Sequence, residues 1–526
     1  MATVGQQLAT QESGWRRYDD MDSRILYEGT WSRVSTAACY NGTETNSANS
    51  SIKIVKFKFF GTKFRIIGNI YTTYKKVTVS VNGATVGAYT PNGALTRQVL
   101  LYEYIGSSVF QVNNVVLSWD VTSTESAFDA IDIDATGYLM HPMLNQVSDI
   151  KTMKVGDCVP CKYTATTSGA AGYFSEIGTC TSDEIPVSGS ATPNGLFYFI
   201  KTENGTLVAD RAVQHSISWD ILNAAKYIEG ILSRIDSIIP KLTSDDCVID
   251  GVRYVAKSST VYGSNYFAHS VFNKTYTSTV LSEWIASIYT LYGLVSIDIG
   301  VSKIPAAYSI TGTTGYATAN TSVAPKNWTI DGSNDAENWH VLDSQTNQTS
   351  WTFGETRYYT LNLSNGYRYF RINISANNGS SSYLALGEFD LYSTNTLTII
   401  RSLSGGCSYS DESEKSSLTD KSKGGWPTSN EWDKYIVNST LDGKITKGDD
   451  KIWHWSTYPY GTICKDTPVL AWLSSTNRIH RGATASNVAR LDGVSYNVSS
   501  NAHANQGFRP VLNYLETNSK ATNLYY

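Results

Sequence analysis

Apolar residues along most of this chain fall on alternate positions, the period of strands with one buried face. Val77, Val79 and Val81 alternate up to Asn82-Gly83, a pair suited to the left-handed angles of a two-residue hairpin turn. The same alternation runs through "SIKIVKFKFFGTKFRIIG" (Ser51 to Gly68) and "FDAIDIDATGYL" (Phe128 to Leu139), predicting a sandwich over 14–142. A smaller strand-rich stretch covers 143–217, with strand pairs around Asn204-Gly205. In "PKNWTIDGSNDAENWHVLDSQ" (Pro325 to Gln345), two short alternating segments flank a polar connector rich in turn-forming residues, which again reads as a hairpin.

Between Trp219 and Ile239 the period changes. Ile221, Ala225, Ile228, Leu232, Ile235 and Ile239 are spaced by four, three, four, three and four, the 3.5-residue repeat of a supercoiling helix. Ser218 can cap its start, Asp220 complements its positive end, and Pro240 stops it. With Ala225, Leu232 and Ile239 at a and Ile221, Ile228 and Ile235 at d, the β-branched d positions disfavour a dimer and predict a homotrimer. An amphipathic helix lying on its own domain is the alternative. Five large buried aliphatics supply about 7 to 15 kcal/mol, against about 1 to 2 kcal/mol for ordering each residue, so flanking domains must contribute to any trimer.

The resulting expectation is a mainly β, multi-domain chain of jelly-roll or β-sandwich modules joined by a central coiled-coil helix. Its divisions are an arm at 1–13, a sandwich at 14–142, a small β domain at 143–217, the helix at 218–240, a further β domain at 241–393 and a C-terminal domain at 394–526. In the C-terminal domain, Ser429 or Asn430 can cap a short helix containing Trp432 and Tyr435.

Composition narrows the function. Charged residues make up 17% of the 526 and the net charge is -4, leaving no polybasic field for nucleic acid or an anionic membrane. The 35 tyrosines and 13 tryptophans, set among Ser, Thr, Asn and Gly, suit sheets and also supply flat rings with polar handles for contact. The opening "MATVGQQLATQESGW" lacks the charged and apolar regions of a signal peptide, and no window holds the roughly 20 apolar residues of a membrane span. A soluble chain made inside a cell, without membrane insertion, is therefore expected. Seven scattered cysteines argue against a disulfide framework.

Candidate chemistry is sparse. Asp19, Asp20 and Asp22 with Asp129, Asp132 and Asp134 can gather around a hard cation if the first and last strands of the sandwich pair; alternating Asp on a wet strand face is the plainer reading. Cys158-x-x-Cys161 and Cys180 offer three thiols, and a zinc site would have to recruit a group such as His215. Glu431 and Asp449-Asp450 are the carboxylates a glycosidase reading would name, but no catalytic motif accompanies them and the chain is expected not to be an enzyme.

Three stretches resemble known families. "GWRRYDDMDSRILYEGTW" (Gly14 to Trp31) with "AFDAIDIDATGYLMHP" resembles a carbohydrate-binding-like jelly roll of structural proteins in phages of Gram-positive bacteria. "FAHSVFNKTYTSTVLSEW", "VSIDIG", "APKNWTIDGSNDAENWHVL" and "YRYFRINISANNGSSSYLALGEFDLY" resemble, in order, the blocks of the discoidin family, also called coagulation factor 5/8 C-type or galactose-binding-like domains. "GGWPTSNEWDKYIV", "KIWHWSTYPYGTIC" and Gly507 to Leu512 resemble C-terminal domains of phage tail-associated adhesins and, more loosely, the C-type-lectin-like fold.

The discoidin resemblance implies an eight-stranded jelly roll in which Gly332 to Trp339 is scaffold and loops at one end bind sugars. Tyr262, Tyr266, Trp284, Asn378 and Tyr383 are then the loop candidates for stacking and hydrogen bonding to a glycan. Trp453 and Trp455, with Tyr458 and Tyr460, would add a ring-rich surface if strand alternation turned them outward. The family's structural Ca2+ would fall at Asn273, Thr277 and Glu388, although Asn273 beside Lys274 weakens a cation site. Together these resemblances imply a virion tail or baseplate protein, assembled in the host cytoplasm, that contacts other virion proteins and binds host surface glycans. A virion decoration protein and a carbohydrate-active enzyme with accessory modules are the alternatives.

Overall fold

The computed structural model describes residues 2–48, 51–233, 237–249, 251–274, 283–313, 320–393, 397–420, 422–459, 461–469, 475–483 and 489–515. The chain divides into two compact units, the first holding 1–231 and 400–512, the second 232–399 and 513–526. Both are mainly β, as the alternation predicts.

In the first unit, Trp15–Asp19, Ala130–Asp134, Lys63–Ile70 and Thr96–Ile105 form a four-stranded sheet. A second sheet carries Tyr138–Met140, Ile54–Gly61, Gln111–Trp119, Val77–Val81 and Ala84–Tyr89, with Leu26–Glu28 paired to Ile54–Gly61. Phe57, Phe59, Val79 and Leu117 from one sheet meet Phe64, Ile66, Ile131 and Ile133 from the other in a shared core. The Asn82-Gly83 turn takes positive φ at both residues. The strands Asp157–Thr164, Asn194–Glu203 and Thr206–Ala209 share one sheet with Pro510–Leu515 and Leu397–Ser402, so segments far apart in sequence close a single layer. Asn430 accepts from the Asp433 N–H at 3.0 Å beside a π-helical turn, Trp432–Val437, and Trp432 is buried.

The central helix is a correction. Ser218 does cap a helix, accepting from the Ile221 N–H at 3.2 Å, but that helix is Trp219–Ala224 and ends at Ala225. Lys226 and Gly230 then take φ of 66° and 125°, which a helix cannot contain, and Ile231–Ser233 is a strand. The heptad residues disperse. Ile221 is exposed, Ala225 is half-buried at the cap, Ile228 is buried in the first unit, Leu232 lies in the strand, and Ile239 joins the core of the second unit. Ile235 lies outside the described residues. Ile228 and Ile239 are buried in different units while Ile221 is exposed, so no continuous apolar seam is left for a stalk, which removes the basis for the trimer expectation.

The second unit is a sandwich. Its larger sheet runs Asp246–Ile249, Val252–Ser258, Gly293–Lys303, Tyr367–Asn377, Pro325–Ser333 and His340–Gln345. The smaller layer holds Thr356–Thr360, Ala307–Thr311 and Glu388–Tyr392, with Trp284–Ile285 paired to Ala385–Leu386. Trp328, Tyr308, Phe370, Ile372 and Phe389 pack between the layers. In the hairpin tip, Asp335 accepts from the N–H groups of Glu337 and Asn338 at 2.9 and 2.8 Å, and these donors, led by the Asn338 amide, hold its carboxyl well below the usual range. Trp328 is core, whereas half-buried Trp339 lies beneath the Arg371 guanidinium at 4.2 Å.

Candidate functional site

The strand registers define two ends of the second unit. Gly293 pairs with Ile374 and Pro325 with Asn377 at one end, while Lys303 pairs with Tyr367 and Ser333 with Tyr369 at the other. The polar hairpin tip belongs to the second end. At the first, three loops converge on a group of tyrosines.

Short hydrogen bonds tie these loops together. The Trp284 indole donates to the Thr260 carbonyl at 2.8 Å, and the Tyr262 N–H donates to the Ile285 carbonyl at 2.9 Å. The Ala286 and Tyr289 N–H groups donate to the carbonyls of Leu384 and Ser382 at 3.0 and 2.8 Å. Asn377 Nδ2 braces the third loop, donating to the carbonyls of Ser380 and Tyr383 at 2.9 and 2.7 Å. Buried Ile285, Val323 and Ala385 form a floor on which Tyr266 and Tyr383 pack. The Tyr262 ring stands 5.4 Å from Tyr383 at 87° and 5.6 Å from Tyr266 at 59°, making an aromatic corner. A hydrogen bond with Tyr262, followed by partial burial, holds the Tyr383 phenol above its ordinary range.

Tyr262, Tyr266 and Tyr383 are thus brought together, and Tyr262 keeps 46% of its surface exposed. Trp284 is a correction: it is 0% exposed, and its role is to hold the Thr260 loop from beneath. Asn378 also faces inward, its Nδ2 donating to the carbonyls of Ala324, Pro325 and Gln348 at 3.1, 3.0 and 3.0 Å. Sequence reasoning missed Tyr289 and Tyr292, which are 74% and 68% exposed. Tyr289 takes φ of 63°, a strained angle for a bulky residue and one that persists only where neighbours enforce it. The available signal was "SIYTLYG", whose large apolar residues precede a strand without continuing its alternation.

The other candidates resolve differently. Trp453 is fully buried in a four-residue helix, Asp450–Trp453, so strand alternation never applies to it. Trp455 is half-buried and donates to the Gly448 carbonyl at 2.8 Å, and Tyr458 is half-buried too; Tyr460 lies outside the described residues. Glu431 is clamped by Arg401 at 2.7 and 2.5 Å, Asp449 caps Lys451 N–H at 3.1 Å, and Asp450 accepts from the Ser456 N–H at 2.8 Å. Cys158 and Cys161 lie three apart on one strand and so face opposite sides of it. Burial drives both thiols well above their ordinary range. His215 Nδ1 lies 2.9 Å from the Ser216 hydroxyl. Among the described residues no cluster of His, Cys, Asp or Glu is placed to hold a metal ion.

The calcium set implied by the discoidin resemblance does not fit. Lys274, at φ 56°, turns its ammonium inward to 2.6 Å from buried Asp390, and it also donates to Ser237 Oγ at 3.0 Å. Glu388 is buried on the same strand face as Asp390, Asn273 contributes only an amide, and Thr277 lies outside the described residues. A fixed positive charge already serves Asp390 beside this position. Chelation with EDTA is therefore expected to leave the melting temperature unchanged, and a rise of several degrees on adding calcium would contradict this account.

The sandwich aspartates answer their own question. The first and last strands do pair, Trp15 opposite Asp134 through Asp19 opposite Ala130, yet three of the six carboxylates are taken up by other partners, and Asp20, Asp129, Asp132 and Asp134 are buried. Arg17 takes Asp132 at 2.6 and 2.9 Å, Arg24 takes Asp22 at 2.8 and 2.6 Å, and the N–H and hydroxyl of Thr62 serve Asp134 at 2.6 and 2.7 Å. Asp19, Asp20 and Asp129 remain close enough to repel. Desolvation first, and neighbouring carboxylates next for Asp19, push Asp19 to about 7; desolvation pushes Asp129 to about 7. Both pKa values lie above the unfolded value, so the folded state binds more protons and stability falls as pH rises between about 4 and 7. Burial holds His141 and His480 of the same unit down to about 3 and 4, which acts in the opposite direction, so the variant isolates the aspartate contribution: calorimetry is expected to show Asp129→Asn raising the melting temperature more at pH 7.5 than at pH 5.

No family model matches the chain. One curated relative, the E3 ubiquitin-protein ligase Ufd4 of Drosophila melanogaster, is 32% identical over 104 residues, 18% of this chain. The chain spans 4% of that relative's length. Solved structures similar to it include chitosan-binding module 1 from a chitosanase/glucanase of Paenibacillus sp. IK-5, at 18% identity, covering 30% of this chain and 98% of that one, with a TM-score of 0.22. A Clostridium perfringens module, CpGH89CBM32-5, in complex with GalNAc-beta-1,3-galactose, is 12% identical over 26% of this chain and 94% of its own, at 0.22. The family 32 carbohydrate-binding module of Streptococcus pneumoniae EndoD is 15% identical over 30% and 98%, at 0.23. These values are too low to assign the chain to any of them.

Proposed function

We propose that this chain binds glycans through the tyrosine end of its second unit, and that it serves as a tail or baseplate adhesin that attaches a phage, or a phage-tail-like particle, to a bacterial surface. The observation carrying the glycan reading is the exposed aromatic corner of Tyr262, Tyr266 and Tyr383 on a braced apolar floor, with Tyr289 beside it. The C–H face of a sugar ring stacks on such rings while phenol and serine hydroxyls meet its own. The virion setting is supported by the sequence resemblances at 14–142 and 394–526. A single sugar site commonly holds about -4 kcal/mol, near millimolar, so affinity for a cell comes from many copies on a particle, worth about 10²- to 10⁴-fold. The commitment of Glu431, Asp449 and Asp450 to structural hydrogen bonds favours binding over hydrolysis.

Fluorescently labelled full chain, incubated with host cells, stripped walls and purified virions, tests this. Staining of cells and walls supports the adhesin. Binding to virions alone would favour the decoration protein, and release of reducing sugar from walls would favour the enzyme.

A further inference from the structure

The segments that carry and surround the tyrosine corner are free of charge over their whole length, and on the adjoining loop, which Gln348 ties to Asn378, Glu355 and Arg357 are paired with each other at 2.7 Å. Residues 258–268, 284–297, 320–325 and 372–387 contain no Asp, Glu, Lys, Arg or His, in a chain where 17% of residues are charged. Charges resume only beyond them, at Lys257, Asp298 and Lys326 on the strands, or buried. Glu283 and Glu388, which border two of the loops, are both inside the unit, and Glu283 accepts from the Thr313 hydroxyl at 2.7 Å. His269 is engaged by Asp245 at 2.8 Å. The ion pairs Arg368–Asp298 at 2.8 Å and Arg371–Asp331 at 2.7 Å lie toward the other end of the sheet, where Asp298 pairs with Tyr369.

We infer that the ligand of this site is an uncharged saccharide, not a phosphate- or carboxylate-bearing polymer, an inference that rests on the glycan-binding reading above. A phosphate or carboxylate pressed against these rings loses water and gains no guanidinium or ammonium in return, whereas recognition of such groups depends on charge-assisted bonds. A neutral hexose or N-acetylhexosamine has no such requirement. Its apolar face lies on a tyrosine ring, and its hydroxyl or amide groups meet the phenols of Tyr262, Tyr266 and Tyr383 and the serine-rich loop 380–382. Binding without ion pairs is also insensitive to screening.

The test is a printed array carrying neutral hexose and N-acetylhexosamine oligosaccharides beside uronic-acid, sialylated and glycerol-phosphate glycans. It is probed with labelled full chain at 50 and 500 mM NaCl, with Tyr262→Ala as control. The expected result is signal on neutral glycans alone, with less than twofold change in apparent Kd between the two salts and loss in the variant. Signal confined to anionic glycans, or a tenfold weakening at high salt, would overturn the inference and leave glycan binding intact. An array with no signal on either class would remove the glycan reading itself.

Discussion

Alanine at both Tyr262 and Tyr383 abolishes detectable binding of the full chain to stripped host walls, while its melting temperature stays within a degree or two of wild type. Each ring supplies stacking area and one wall of the corner, and an aromatic contact of this kind is worth about 0.5 to 1.5 kcal/mol beyond the area it covers. Two such losses together cost on the order of 10- to 100-fold, enough to carry a millimolar site out of range. Tyr262 is 46% exposed and Tyr383 is half-buried on the outer side of the floor, so truncating them opens no sealed cavity. Tyr262→Phe separates stacking from the hydroxyl: the ring remains and the bond to Tyr383 goes, so a few-fold loss is expected. Wall binding by the double variant equal to wild type would place the site elsewhere.

Alanine at Arg211 is expected to cost the first unit about 3 to 5 kcal/mol, the range for leaving a buried charge without its partner. The guanidinium is buried and donates to Asp210 at 2.7 and 3.0 Å, to the Ile185 carbonyl at 2.7 Å, to Glu184 at 3.2 and 3.4 Å and to Ser23 at 3.3 Å. Glu184 in turn lies 3.8 Å from Arg24, which is paired with Asp22. This network links the sandwich at 14–142 to the strands that follow it, since Ser23, Asp22 and Arg24 belong to one and Glu184, Asp210 and Arg211 to the other. Removing Arg211 takes the nearest cation from Asp210 and Glu184, whose side chains are both buried. Calorimetry of the full chain measures the loss. Hydrogen exchange should locate it, with faster exchange at residues 23–26 and 184–186. A variant as stable as wild type, with unchanged exchange there, would show that the network contributes nothing net.

Strands and turns were legible because their signals are local. Val77, Val79 and Val81 show their face by alternation, and Asn82-Gly83 shows its turn by the angles those two residues accept. The hairpin over Pro325–Gln345 was legible for the same reason. The stalk was misread because a 3.5-residue spacing states only that apolar residues recur. It does not state that one partner covers them all. Lys226 and Gly230 break the run, and Ile228 and Ile239 end in different cores. Trp284 was misjudged because a tryptophan at a loop edge has the same letter whether it faces a ligand or supports the loop from below.

By itself, then, the sequence determined the β character, the turn positions, the absence of charge from the loops at 258–268, 284–297 and 372–387, and the tyrosines available there. Only the tertiary structure decided which rings stay outside, that Trp284 and Trp453 lie within, that arginines and backbone donors take up the sandwich aspartates, and that Lys274 meets Asp390. The physical reason is range. Backbone preference and periodicity are properties of neighbours in the chain, whereas burial and charge pairing depend on which distant segments a residue meets once the layers close.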